Sequence, residues 1–267
     1  SNGQELKTTQ NSFSGKFSTG GMHTIINVGN QWMVANFHEV NDDIPNTGET
    51  TTYGSNTWTD YNTGITTYRD GTAIPHVQDQ TIWKELKTGA WCYYDNYRND
   101  DPNYGKLYNW YAVMGIHDEA SLNDPSLRKE FAPEGFKVPN VAEWEALYSY
   151  LIASGYNYDG TNNSNKIAKA LAAKELWQSS EIIGSPGNSP ETNNESTSNA
   201  IPVGVRGGCC FTDYFYSRGI GTYFWTSNEH DEIHGVATHI HYDMVRSSYQ
   251  NNFKTDGYSV RFIEDQN

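Results

Sequence analysis

The chain has 267 residues and a formal net charge of −14 at pH 7. An acidic chain repels phosphate backbones, so nucleic acid is excluded as an expected partner. No apolar run is long enough to span a membrane, and three cysteines give no disulfide framework. The 19 tyrosines and 8 tryptophans suit a β-rich core and suit sugar or protein recognition equally well.

The first third of the chain contains few regular elements. Residues 1–21 are rich in Ser, Thr, Asn and Gly and are predicted to be a flexible leader. Apolar residues on both sides of Gly29-Asn30 predict a β-hairpin over residues 22–37. Residues 40–66 are polar again and predict an inserted surface loop, and residues 90–94 predict a short apolar strand.

Two short aromatic helices are predicted at the centre of the chain. The first has Asn103 as its candidate N-cap and an apolar face made of Leu107, Trp110, Tyr111 and Met114. The second begins after Asn140, whose side chain suits an N-cap, with Glu143 at the position that completes a capping box. Its apolar face is Val141, Trp144, Leu147, Tyr148 and Leu151. Gly155 supplies a stop, and a third helix is predicted over residues 166–177.

The last third of the chain predicts a long loop followed by strands. The loop covers residues 178–199, and the strands cover residues 201–205, 223–227, 235–245 and 258–263. This order of elements is typical of an α+β fold with a mostly antiparallel twisted sheet, two or three short helices and long loops. Since nothing resembles a linker, residues 22–267 are predicted to form a single domain.

Eight sequence blocks occur in an order that characterises one protein family. They are GNQWM from Gly29, YRDGTAIP from Tyr68, AWCYYDN from Ala90, YGKLYNWYA from Tyr104, GFKVP from Gly135, IAKALAA from Ile167, FWTSNE from Phe224 and GYSVR from Gly257. With these blocks the chain resembles the Fibrobacter succinogenes major paralogous domain family over residues 22–265. It departs from the family pattern in the larger insertion at residues 40–66, and most of all between residues 178 and 217.

The resemblance implies a C-type-lectin-like fold that is distantly similar to the formylglycine-generating and sulfatase-modifying enzymes. It also implies export from a Gram-negative bacterium of the Bacteroidetes type, often as an outer-membrane lipoprotein or surface protein. It implies no reaction, because a fold alone does not give a function.

The adjacent pair Cys209 and Cys210 is the one feature that suggests the enzymes of this group. Those enzymes use two cysteines that converge on copper or on a substrate thiol. Neighbouring residues on a strand point to opposite faces, so these two thiols are not expected to converge. We therefore expect no enzyme and keep an oxidase-like activity only as an alternative.

Two groups of side chains are candidate metal ligands. His239 and His241 fall on one strand face with Asp243 next along it, which suits a divalent metal but also an exposed strand. The second group offers the oxygen ligands that calcium prefers and consists of Asn228, Glu229, Asp231 and Glu232. A solvated acidic turn explains that group equally, and the sugar-binding signatures of calcium-dependent lectins are missing. No cofactor is expected, and calcium stays open.

A segment of aromatic and polar residues gives the candidate ligand-binding site. It contains Tyr214, Tyr216, Tyr223, Trp225, Asn228 and Glu229. We expect a non-enzymatic adhesion or recognition module that binds a glycan or a surface or host protein. The expected location is the cell surface or outer membrane, with the periplasm as alternative and an N-terminal lipid anchor as the membrane attachment. The alternative is a structural or tip subunit of a surface filament or outer-membrane complex.

Overall fold

The computed structural model describes residues 49–97, 104–208 and 214–266, together with the backbone of three strands nearer the N-terminus. The chain separates into two compact units, Ser1–Ile44 and Pro45–Asn267. The hairpin expected at the start of a single domain from residue 22 therefore belongs to the first unit.

The first unit contains a three-stranded antiparallel sheet. In spatial order its strands are β1 (Ser12–Lys16), β2 (Met22–Val28) and β3 (Gln31–Phe37). Val28 pairs with Gln31, which is the hairpin that the apolar pattern predicts. Strand β1 lies inside the predicted leader. Its sequence has one apolar residue, so hydrophobic periodicity gave no sign of it.

The second unit is built from short elements. Its strands are β4 (Thr50–Tyr53), β5 (Asn56–Thr59), β6 (Trp91–Cys92), β7 (Leu107–Tyr108), β8 (Phe136–Lys137), β9 (Val205–Arg206), β10 (Phe215–Tyr216), β11 (Gly221–Glu229), β12 (His234–His241), β13 (Ser248–Phe253) and β14 (Ile263–Glu264). Its helices are α1 (Gln80–Trp83), α2 (Trp110–Val113), α3 (Glu119–Asn123), α4 (Val141–Ala153) and α5 (Ala168–Leu171). Single 3-10 turns cover Tyr94–Asn96, Pro125–Leu127 and Pro190–Thr192.

These strands form small antiparallel sheets. Within the described part of the second unit, the sheet orders are β4-β5-β14-β8, β6-β7, β9-β10 and β11-β12-β13. Every ladder between named strands is antiparallel. Sheets of this kind with a few short helices confirm the predicted α+β class.

Helix α4 forms as its sequence predicts. The Asn140 side chain accepts a hydrogen bond from the Glu143 N–H at 2.9 Å, and the Glu143 carboxylate accepts one from the Asn140 N–H at 2.8 Å. This reciprocal capping box satisfies two N–H groups that would otherwise have no partner. The apolar face is buried through Trp144, Leu147, Tyr148 and Leu151. Gly155 follows with φ +86°, a conformation that glycine adopts without strain.

The first central helix is shorter than predicted. Leu107 lies in strand β7, and helix α2 has a single turn capped by Asn109, whose side chain accepts from the Ala112 N–H at 2.9 Å. The proposed cap Asn103 lies outside the described residues. The error has a physical cause: Leu107 and Trp110 are both fully buried, so strand and helix positions look alike in a sequence pattern.

The prediction of a surface loop at residues 40–66 is wrong for residues 50–59, which lie within the described part of this range. Strands β4 and β5 form a hairpin over residues 50–59, in which Tyr53 pairs with Asn56. Strand β5 continues into the sheet through the pairing of Trp58 with Ile263. Trp58 is buried and contacts the Trp144 ring, with the ring centroids 4.6 Å apart. Five of the ten residues from Thr50 to Thr59 are threonine, and this polar composition gave no hydrophobic sign of a strand.

Several other bounds also differ from the predictions. The third helix is only the four residues of α5, because the Ala173 N–H leaves the helix to donate to the Ala200 carbonyl. The predicted strand at residues 201–205 is reduced to β9. The predicted strand at residues 258–263 is mostly isolated bridges, such as Tyr108 with Tyr258. Strand β11 extends beyond the predicted 223–227, and β12 covers residues 235–241 of the predicted 235–245.

The core of the second unit forms where the two central helices meet strand β11. Helices α2 and α4 both contact β11. Trp110 and Trp225 lie in one buried hydrophobic cluster, and Trp144 and Phe224 lie in a second. The two aromatic helices therefore serve to pack the core. A ligand-binding site is to be sought in the neighbouring loops and strand ends.

Candidate functional site

The predicted ligand-binding tyrosines lie on and beside strands β10 and β11. Tyr214 is 48% exposed, and its carbonyl accepts from the Gly207 N–H at 2.7 Å, which holds the backbone while the ring stays in solvent. Tyr216 and Tyr223 are half-buried and both pack against the hydrophobic cluster that contains Tyr258. Of the three rings, Tyr214 is the one free to meet a partner.

Trp225 does not belong to an exposed surface. Its side chain is fully buried, and its indole N–H donates to the Tyr108 carbonyl at 2.8 Å. Residues two positions apart on a strand point to the same face, so Tyr223 and Trp225 both lie on the side that faces Tyr258. Phe224, on the opposite face, is also buried. The expectation that Trp225 contacts a ligand is replaced by a packing role.

Four rings stack beside each other on this side of the sheet. The ring centroids are 4.5 Å apart for Trp225 and Tyr258, 5.1 Å for Tyr258 and Tyr223, and 5.3 Å for Tyr223 and His239. Such contacts add to the free energy gained by burial alone. We call these four residues the aromatic stack, and its ring contacts hold the side chain of Tyr223 in place.

Asp256 is a buried carboxylate next to the aromatic stack. It accepts hydrogen bonds from the Gly208 N–H at 2.8 Å and from the Tyr258 hydroxyl at 3.0 Å. Burial raises the pKa of the Asp256 carboxyl to about 6, although these hydrogen bonds act in the opposite direction. Sequence reasoning missed this residue, because an Asp-Gly pair between strands looks like an ordinary solvated turn.

The residues of the first candidate metal site have different partners within the protein. His239 is buried, with its Nε2 3.3 Å from the Ser248 hydroxyl, and burial lowers the pKa of its imidazole to about 4. His241 instead pairs through Nδ1 with the Asp243 carboxylate. Across the described residues, no group of three His, Cys, Asp or Glu side chains is placed to hold a metal ion.

Three of the four side chains in the calcium hypothesis, Asn228, Glu229 and Asp231, make contacts within the protein, and Glu232 contributes its backbone carbonyl. The Asn228 side chain accepts from the Val141 N–H at 2.7 Å, at the first turn of helix α4. Glu229 pairs with the buried ammonium of Lys254, which also donates to the Glu232 carbonyl at 2.8 Å. The remaining member, Asp231, has its pKa lowered to about 2, chiefly by its hydrogen bond with His234.

A second aromatic surface was missed by the sequence analysis. The guanidinium carbon of Arg218 lies 5.4 Å from the Tyr94 ring centroid and 5.5 Å from that of Tyr104. Burial and the Asp95 carboxylate raise the pKa of Tyr94, and Arg218 opposes them. Tyr97, which lies one turn beyond Tyr94, is 81% exposed. We call Tyr94, Tyr104 and Arg218 the arginine–tyrosine surface.

This surface is assembled from segments far apart in the sequence. Tyr94 follows strand β6, Tyr104 precedes strand β7, and Arg218 lies in the turn between β10 and β11. Pairing of β6 with β7 brings the two tyrosines to the same hairpin end. No local motif could have signalled the third member, since its partners are more than a hundred positions away.

The sequence profile of the Fibrobacter succinogenes major domain matches residues 51–264. The chain belongs to this family. The matched range begins in β4 and ends in β14, so it covers nearly all of the second unit and both aromatic features described above. The sequence blocks suggest that the resemblance extends over residues 22–265. The GNQWM block at Gly29 lies outside the matched range. No curated protein and no solved structure matches the sequence.

The structure of this Fibrobacter succinogenes major domain describes one of its three cysteines, so it does not test the oxidase alternative at the Cys209–Cys210 pair. Cys209 and Cys210 lie outside the described residues. The described thiol, Cys92, is fully buried, and burial raises its pKa to about 11. A thiol of such high pKa holds its proton at neutral pH and is a poor nucleophile.

A helix that crosses a membrane must be both long and predominantly apolar. None of the helices in the described residues combines the length and the apolar character that a crossing requires.

Proposed function

We propose that the domain is a non-enzymatic binding module, exported to the cell surface, which recognises a glycan or a surface or host protein. The observation that carries the proposal is the arginine–tyrosine surface with the exposed rings of Tyr97 and Tyr214 nearby in the chain. Tyrosine and arginine are the residues most enriched where proteins bind partners, because they combine large rigid contact area with polar groups.

The exposure of these rings supports recognition over a packing role. A single exposed aromatic residue is ordinary on a protein surface. Here Tyr97 is 81% exposed and Tyr214 is 48% exposed, and the backbone of each residue is held by a hydrogen bond: the Tyr97 N–H donates to the Tyr94 carbonyl, and the Tyr214 carbonyl accepts from the Gly207 N–H. Rings fixed in this way lose little conformational entropy when a ligand binds, which favours affinity.

We also propose that the fold is C-type-lectin-like. Helices α2 and α4 both contact strand β11, and they pack with residues of its opposite faces, Trp225 and Phe224; the described strands of this unit form short antiparallel sheets. This arrangement supports the fold that the family resemblance implies. Export, and attachment through an N-terminal lipid, rest on the same resemblance and are proposed with it.

A binding screen tests the proposed function. The purified domain and the variants Tyr97→Ala and Tyr214→Ala would be applied to a glycan array and to a panel of cell-surface and matrix proteins. We expect the wild type to bind at least one ligand class, and at least one of the two variants to lose most of that binding. Tyr150→Ala is the matched control, since Tyr150 is a 39% exposed tyrosine on helix α4.

Two outcomes would contradict the proposal. Absence of binding on both panels, with native protein isolated in stoichiometric association with other chains, would favour the structural or filament-subunit alternative. Equal loss of binding in the Tyr150→Ala control would show that the measured binding does not depend on the proposed surface.

A further inference from the structure

Arg218 lies at the tip of a turn whose backbone is fixed on both sides. Ser217 has φ +63° and Gly219 has φ +77°, so both neighbours adopt the left-handed conformation. A non-glycine residue in that region is strained, and such strain is retained where the surroundings hold it firmly. The Gly219 N–H donates to the Pro202 carbonyl at 2.9 Å, and the Gly221 N–H donates to the Ser217 carbonyl at 2.9 Å.

Close packing holds the same turn against Tyr94. A Cβ atom added to Gly204 would come within 2.7 Å of both the Arg218 nitrogen and the Tyr94 ring. Only a glycine at position 204 allows the backbone of the turn, the ring and residues 202–204 to approach so closely. The backbone that carries Arg218 is therefore held in one conformation, and its guanidinium lies near both tyrosine rings.

The charge of Arg218 is not neutralised by its described surroundings. The residue is exposed and forms no salt bridge with a carboxylate of the described residues. The Asp95 carboxylate helps to raise the pKa of the neighbouring Tyr94, so its negative charge acts at this surface and opposes the binding of an anion. A guanidinium without a carboxylate partner presents a planar fork of donors that matches a carboxylate.

We propose that the arginine–tyrosine surface binds the carboxylate of an acidic sugar, a uronic acid within a glycan. This inference rests on the proposed function and adds the ligand class to it. Arg218 would hold the carboxylate through two N–H groups. The exposed ring of Tyr97 would contact the apolar face of an adjoining sugar, as aromatic rings do.

The overall charge selects a sparsely charged ligand over a polyanion. A chain with a formal net charge of −14 repels a dense anionic polymer before any short-range contact forms. One carboxylate held in contact with one guanidinium is less affected, because charges further away than about 10 Å are largely screened at 0.1 M salt. A glycan with isolated uronic acids offers a carboxylate for this contact and avoids the repulsion of a densely charged polymer.

Calorimetric titration with defined sugars tests the inference. The probes are oligosaccharides that contain glucuronate or galacturonate, the same oligosaccharides with each carboxylate reduced to the alcohol, and a glutamate-rich peptide. We expect binding of a uronate probe and at least about tenfold weaker binding of its reduced form, because a bidentate charged contact is lost. Arg218→Gln should weaken uronate binding by a similar factor, and Arg218→Lys should restore only part of it.

Two further variants separate this role from general charge. Asp95→Asn should strengthen uronate binding, because it removes a negative charge and asparagine accepts the φ of +54° at that position. Arg246→Gln is the matched control, an exposed arginine on another turn, and it should leave the affinity unchanged. Circular dichroism of each variant establishes that it is folded before the titration is interpreted.

The results distinguish failure of this inference from failure of the proposed function. Equal binding of the reduced probe, or unchanged affinity of a folded Arg218→Gln variant, would overturn the uronate assignment. Binding of the acidic peptide alone would overturn it in favour of a protein partner. If neutral glycans bind and Tyr97→Ala or Tyr214→Ala abolishes that binding, the proposed function stands without the uronate. No binding in any experiment would overturn both.

Discussion

The Tyr258 hydroxyl donates a hydrogen bond to the buried Asp256 carboxylate at 3.0 Å. The native pKa of Asp256 is about 6, against an ordinary value of 3.8. Because its native pKa is the higher one, the native state binds more protons than the unfolded state between these values. This carboxyl therefore stabilises the fold as the pH falls from 7 to 4, and the effect is lost as the pH rises through 6.

His239 acts in the opposite direction over nearly the same pH range. Its native pKa is about 4, against an ordinary 6.5, so the unfolded state binds more protons. Its contribution to stability is complete above pH 6.5 and is lost as the pH falls toward 4. The two buried groups offset each other in the wild-type protein.

We therefore expect the variants at these positions to have opposite pH dependences. Between pH 7 and 4, Asp256→Asn should lose about 2 kcal/mol of unfolding free energy relative to the wild type, because the stabilising protonation is absent. His239→Phe should gain about 3 kcal/mol over the same range, and its ring can still stack on Tyr223. Urea denaturation at several pH values measures both.

The opposite-sign result is the discriminating feature of this experiment. If the unfolding free energies of the wild type and both variants changed in parallel with pH, neither group would have a shifted pKa. The measurements stop at pH 4, because Asp70, Asp159 and Asp231 have native pKa values of about 2 and begin to destabilise the fold at lower pH.

Trp225 and Tyr214 should respond differently to substitution. Trp225→Phe removes the hydrogen bond to the Tyr108 carbonyl and leaves a cavity, so we expect a loss of about 2 to 4 kcal/mol of unfolding free energy. Ligand affinity per folded molecule should not change. Tyr214→Ala should leave stability within about 0.5 kcal/mol of wild type. A loss of affinity in a folded Trp225→Phe variant would reinstate Trp225 as a ligand contact.

Arg261 is expected to be one of the main stabilising side chains. Its buried guanidinium donates to the Ser198 carbonyl and hydroxyl, and to the Asn199 carbonyl at 3.0 Å. Lysine cannot reproduce this fork, so Arg261→Lys should cost about 3 kcal/mol. Arg246→Lys, at an exposed position, should cost less than about 0.5 kcal/mol. Equal midpoints in guanidinium denaturation would show that the Arg261 network is dispensable.

Two glycines with similar backbone angles separate backbone strain from steric clash. Gly115 has φ +69°, and an added Cβ would lie 1.8 Å from the Lys129 carbonyl oxygen. Gly135 has φ +81° and no heavy atom within 4 Å of such a Cβ. We expect Gly135→Ala to cost about 1 kcal/mol and Gly115→Ala at least about 3 kcal/mol, because the second must also displace backbone. Thermal denaturation of the two variants decides this, and equal losses would contradict the clash.

The parts of the fold that were predicted correctly are those encoded in consecutive residues. Asn140 and Glu143 make a capping box from side chains three positions apart, and the buried face of α4 follows the helical period. The alternation along β12 likewise predicted a strand. Such local signals do not depend on what the rest of the chain does.

The predictions that failed depended on distant contacts. Trp58 lies in a polar stretch, and only its pairing with Ile263 identifies that stretch as part of a sheet. The aromatic character of Trp225 suggests a ligand contact, whereas its burial and its hydrogen bond to the distant Tyr108 carbonyl favour a packing role. The candidate site shows the same limit: Tyr214 was predicted from exposed aromatic character, whereas Arg218 was missed because its two tyrosine partners lie on another hairpin.

The hydrogen bond from the Val141 N–H to the Asn228 side chain has a consequence for folding kinetics. It joins the first turn of α4 to a strand residue 87 positions away. The helix can start to form from its own capping box, but this N–H gains its partner only after β11 has docked. Asn228→Ala should therefore speed unfolding and leave the refolding rate nearly unchanged, which stopped-flow measurements can establish. The start of the helix would then be completed among the last events of folding.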